Sequence, residues 1–197
     1  MKRKNDKKTF LAIANKYNVC SKDLLDFLEL NGLFECPAST TTSMHYAYEG
    51  GLVDHIIETT KIALNLLNGI PEPLRPSKES VVKVCFLHDL GKLNLYTPNK
   101  SEWHKKNLGK MYEFNEDLVS MTNGERSLWY IYNCGNNDKL TQEEHQAILS
   151  FDKNDNSDLM VKWHSESLSR LLRHSLEWAI MLEKKEYKDS TKPNTNE

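Results

Sequence analysis

Two stretches of this chain repeat their apolar residues at intervals of three and four, and each sets a histidine among them. Leu52, His55, Ile56, Thr59, Ile62, Ala63 and Leu66 form one stripe; Val81, Val84, Cys85 and His88 form the other. That spacing puts each set on one face of an α-helix, so both histidines point where the apolar face points. The pattern commits the chain to helix packing. Leucine usage agrees, with 26 Leu against 8 Ile and 7 Val. β-Branched side chains lose χ1 freedom in helices, so this balance favours helix over sheet.

Start and stop signals divide the rest. Phe10, Ile13, Ala14 and Tyr17 recur at helical spacing, and Ser21 caps a second helix that packs Leu24, Leu25 and Leu28 and stops at Asn31-Gly32. Residues 33 to 50 read as a long loop, after which Gly50-Gly51 opens the first histidine-bearing helix. Pro71, Pro73 and Pro76 make a rigid linker, and Ser77 caps the next helix. Trp103 to Lys105 and Met111 to Phe114, flanking Asn107 to Lys110, predict a small β-hairpin. Asn123 is expected to cap a helix over 124–132, and Thr141-Gln142-Glu143-Glu144 fits a capping box. The last helix is expected from about Leu159 to Lys185, with Trp163, Leu171 and Trp178 in the core. The fold expected is all-α: one helical bundle over residues 36–186 with a small β-hairpin insertion, a helical extension over 1–35 and a disordered tail over 187–197.

Composition removes several classes of function. The chain has 197 residues, enough for one domain, and a formal net charge of −2. Such a balance gives no whole-chain field for long nucleic acid or an anionic membrane. No apolar run approaches the roughly 18 residues of a membrane span. Cys20, Cys36, Cys85 and Cys134 form no C-x-x-C pair, which argues against a disulfide scaffold or a structural zinc site and for a reduced, cytoplasmic setting.

His88-Asp89 begins the chemistry. Leu-Gly-Lys follows at once, so Asp89 sits at a helix terminus, turned about 100° from His88. Either histidine alone reads more readily as a hydrogen-bonded core residue. Two inward histidines beside an inward carboxylate are harder to leave as structure, because a buried carboxylate needs a cation or several donors. A divalent metal meets that need with imidazole and carboxylate ligands.

His55, then His88-Asp89, then an acid on a late helix resembles the HD-domain metal-dependent phosphohydrolase superfamily. The stretch Pro37 to Thr40, and His45-Tyr46-Ala47-Tyr48-Glu49-Gly50-Gly51-Leu52-Val53-Asp54-His55, is similar to the subgroup that includes the HD domain of bacterial 3′–5′ exoribonucleases and small stand-alone HD proteins of bacteria and their phages. The likeness runs from about Cys36 to Glu183. It implies an all-α bundle with His55, His88, Asp89 and Glu177 as metal ligands. Lys92 is implied close to the site and able to contact phosphate, and His45 near the substrate as a candidate acid for the leaving group. The subgroup pattern has histidine where this chain has Asn123 and, after Ala147-Ile148, Phe151, and aspartate where it has Glu177. Those histidines resemble ligands for a second metal, so their absence implies one ion per chain (Mn, Fe, Ni, Co, Zn or Mg) or a site without catalysis.

The reaction implied is hydrolysis of a phosphate ester by a metal-activated water, with Asp89, Lys92 and His45 as catalytic residues. The exoribonuclease relatives carry an OB-fold, and the helical region before Cys36 cannot supply one. A nucleotide or short oligonucleotide is therefore the expected substrate. The alternative is a degenerate HD domain serving as a nucleotide-binding or protein-interaction module. His174 reads as a support for Glu177 or as a core histidine. Trp103, His104, Lys105, Lys106, Lys110 and Tyr112 read either as an aromatic-basic contact surface or as a solvated hairpin with one packed Trp. An oligomer is compatible with all of this.

Overall fold

The computed structural model describes residues 7–44, 46–135, 138–152 and 166–190. Among them it forms eight α-helices: α1 Lys7–Lys16, α2 Lys22–Leu30, α3 Gly51–Leu67, α4 Lys78–Leu87, α5 Glu102–Leu108, α6 Asn123–Cys134, α7 Gln142–Ser150 and α8 Ser167–Ser190. Two short strands, β1 Tyr96–Pro98 and β2 Tyr112–Phe114, pair antiparallel with Tyr96 opposite Phe114. The chain is thus mostly helical with a small hairpin, as its sequence predicts.

Local signals set most boundaries. The Ser21 and Ser77 hydroxyls accept from the amides of Leu24 and Ser80 and start α2 and α4. Thr141 and Glu144 form the expected capping box of α7. At α6 the cap lies one residue earlier than expected. Thr122 accepts from the Glu125 amide, and the Glu125 carboxylate accepts from the Thr122 amide. Asn123 is therefore the first helical residue, and its side chain is released from capping.

The hairpin differs from expectation. Trp103 to Lys105 is helical, because Ser101 caps α5 through the His104 amide and Gly109 ends it at φ 61, a left-handed conformation that favours glycine. The strand opposite β2 is β1, upstream of this helix. The loop before α3 lies against the insert: the Thr40 carbonyl accepts from the amides of Met111 and Tyr112.

One apolar core runs through the described residues. It gathers Leu52, Ile56 and Ala63 of α3, Val81, Val84 and Phe86 of α4, Ile131 of α6, Ile148 of α7, and Leu168 and Leu172 of α8. The first helices belong to it as well. Phe10 of α1 stacks edge-on against Phe34, centroids 5.6 Å apart, and 4.7 Å from Phe86. Trp178 does not belong to it: 56% of its surface is exposed. The inward face of α8 is Leu168, Leu171, Leu172, Ser175, Leu176, Ala179 and Glu183, and the 3–4 spacing leaves position 178 outside. Helix α8 also continues to Ser190, past the expected end near Lys185. The expected start near Leu159 and the core placing of Trp163 fall outside the described residues, as do 191–197 of the expected tail.

Candidate metal centre

Three elements build the site. Helix α3 carries His55 one turn in from its start, and α4 ends on His88. The chain then turns through Asp89 (φ −102, ψ 10) into a single 3₁₀ turn, Leu90–Lys92. His55, His88 and Asp89 are each 1% exposed or less. Asp89 Oδ2 lies 3.5 Å from His55 Nε2 and 3.7 Å from His88 Nε2. One ligand atom from each of the three residues falls within 4.8 Å of the others.

The outer partners decide which lone pairs face inward. His88 Nδ1 lies 2.8 Å from the Cys85 carbonyl and His55 Nδ1 2.8 Å from Glu183 Oε1. A carbonyl and a carboxylate accept, so each Nδ1 carries a proton and each Nε2 faces the cluster. Two imidazole nitrogens and a carboxylate thus converge in a buried cluster. His88 Nε2 and Asp89 Oδ2 make no hydrogen bond. Lys92 Nζ is 2.6 Å from Asp89 Oδ2, in ion-pair contact.

Protonation states suit ligation. Burial pushes the His88 imidazole down to about 4, so it is neutral near pH 7. Burial would raise the Asp89 carboxyl, but Lys92, His88 and His55 outweigh it and hold that group well below the usual carboxylate range. Burial likewise opposes the charge on Lys92, yet Asp89 and Tyr96 keep its ammonium above the ordinary lysine value.

The donor set fits a borderline divalent ion. Ligands at about 2.0–2.1 Å in a tetrahedron are separated by roughly 3.3 Å. The 3.5 and 3.7 Å edges approach that spacing, and the buried His88 Nε2, which has no hydrogen-bond partner, gives a cation something to satisfy.

Glu177 is not at this centre. It pairs with His174 at 3.3 Å on the outer face of α8, with the two side chains 62% and 64% exposed. His174 is accordingly neither a core histidine nor a support for the site. The acid that α8 sends inward is Glu183, six residues on and about 120° round the helix. It touches the far nitrogen of His55, where it sets tautomer and orientation. Continuing the α8 stripe Leu172, Leu176, Ala179 by one more turn would have found it. His45 lies outside the described residues.

Asn123 and Phe151 do reach the centre. Asn123 Nδ2 donates to Asp89 Oδ1 at 2.9 Å, and the Phe151 ring meets the His88 ring edge-on at 4.9 Å. Asp152 had no sequence signal. Its Oδ2 accepts from the amides of Asn123 and Gly124 at the start of α6. Trp103 is 61% exposed, so the insert's tryptophan is not packed.

No family model, curated protein or solved structure matches the chain.

Proposed function

We propose that this chain is an HD-type metal-dependent phosphohydrolase that cleaves a phosphate ester of a nucleotide or short oligonucleotide, as a nucleotidase, nucleoside triphosphohydrolase or phosphodiesterase. The observation that carries the reading is the convergence of the Nε2 atoms of two imidazoles and a carboxylate in a buried cluster. His55, His88 and Asp89 would hold one divalent ion. When bound, that ion supplies a water of lowered pKa and polarises a phosphoryl oxygen. Lys92 already holds an ammonium at the cluster and would offset charge on the phosphoryl group. His45 is proposed to serve the leaving group. The near-neutral chain charge favours a small substrate over a long strand. No described helix is long and apolar enough to cross a membrane. A reduced, cytoplasmic setting suits the four free cysteines.

A second reading has its own support. The Asn123 amide and the Phe151 ring stand against Asp89 and His88 where further ligands would enter. A nucleotide-binding module without turnover would tolerate that. The readings separate when protein loaded with Mn²⁺, Co²⁺ or Zn²⁺ is given a panel of nucleotides and short oligonucleotides. Hydrolysis predicts release of phosphate or nucleoside, lost in Lys92→Met. Nucleotide-dependent thermal protection with no release from any member would contradict hydrolysis and favour the binding module.

A further inference from the structure

Asp89 has two oxygens in different surroundings. Oδ2 faces His55 Nε2, His88 Nε2 and the Lys92 ammonium. Oδ1 accepts from the Asn123 amide at 2.9 Å. A carboxylate on a short side chain can rotate about χ2 and present either oxygen or both. A donor fixed on one oxygen removes that freedom.

Asn123 is fixed from several sides. Thr122 takes over the capping of α6, and the Asn123 backbone amide donates to Asp152 Oδ2. The carbonyl of Asn123 lies so close to Gly91 that a Cβ there would sit 2.2 Å from it. One turn further along α6, the Ser127 hydroxyl accepts from the Gly91 amide at 2.7 Å and donates to the His88 carbonyl at 2.6 Å. The first turns of α6 are thus clamped on the His88–Lys92 turn. The other end of the Asn123 amide, Oδ1, is buried and has no hydrogen-bond partner.

We propose that Asn123 is a positioning residue of the metal centre: its amide donor holds Asp89 Oδ1, so that Oδ2 alone is presented to an ion between His55 and His88. Asn123 Oδ1 remains as a buried acceptor beside that carboxylate, suited to a proton-bearing ligand such as water. The residue thereby sets the denticity of Asp89 and keeps the centre to one ion. This rests on the metal-binding reading above and adds a role that reading does not require.

The test is titration of metal-free protein with Co²⁺ alone, followed by calorimetry and by visible absorption, which reports coordination geometry. Asn123→Ala is expected to weaken Co²⁺ binding roughly ten- to hundredfold, the usual effect of losing an outer partner. It should also alter the absorption spectrum of the bound ion, and, because a buried carboxylate loses a donor, lower the melting temperature of the metal-free protein. A merely structural asparagine would lower that temperature too but leave the affinity for Co²⁺ and the spectrum of the bound ion unchanged. If the alanine variant does not fold, Asn123→Leu, close in shape but without the donor or any charge, carries the same expectations. Wild-type protein that binds Co²⁺, with variants matching it in affinity and spectrum, overturns the positioning role alone. Wild-type protein that takes up no ion overturns the metal-binding reading along with it.

Discussion

His88 is kept as a neutral imidazole by burial, and that has a cost on the acid side. Its folded value, about 4, lies below the 6.5 of a free imidazole. Between those two values the unfolded chain binds a proton that the folded chain refuses. The stability is therefore complete above about pH 6.5 and is lost as the pH falls towards 4, by up to about 3 kcal/mol. Asp89 is depressed too, so its contribution is lost only at lower pH, beneath the ordinary carboxylate value of 3.8. The melting temperature of metal-free protein should accordingly fall across the His88 window, and fall less in His88→Gln. Equal slopes for the two proteins would show that His88 is not held neutral. The same residues show what a sequence reveals at this scale. His55 and His88 were legible because they interrupt apolar stripes, and Asp89 because it follows His88 at the helix end. Glu183 interrupts a stripe in the same way, but the family resemblance implied Glu177, which points to solvent.

Among the elements, helix boundaries were legible where a hydroxyl capped them, as at Ser21, Ser77 and Thr141. The insert was not. Strand-like residues from Trp103 to Lys105 gave way to the Ser101 cap and the Gly109 stop, because a local cap and a left-handed terminus act before any strand partner is met. Helix α8 was legible as a helix but not in its phase, and the phase decides which large residues contribute stability. Leu171 is 5% exposed and Trp178 is 56% exposed. Leu171→Ala should cost about 2–5 kcal/mol in denaturant unfolding. Trp178→Ser should fall within about 0.5 kcal/mol of wild type. A larger loss at Trp178 than at Leu171 would reverse the assigned face of α8.

At the scale of the whole molecule, α3, α4, α6 and α8 meet around a buried polar point. Only α3 and the end of α4 supply the ligands, while α6 and α8 supply the groups that orient them through Asn123 and Glu183. An ion at that point would join four helices that are distant in sequence, so binding would contribute to folding as well as to chemistry. The long-range convergence is what sequence patterning could not provide: stripes indicate which faces turn inward, and only packing shows which inward groups meet. The direct test is metal content of the purified protein combined with anomalous scattering from its crystals. One ion per chain, bonded to His55 Nε2, His88 Nε2 and Asp89 Oδ2, with Glu183 on the far side of His55, is the predicted result. Protein that stays free of metal after incubation with Mn²⁺, Co²⁺ and Zn²⁺, or an ion seated at Glu177 instead, would contradict the account.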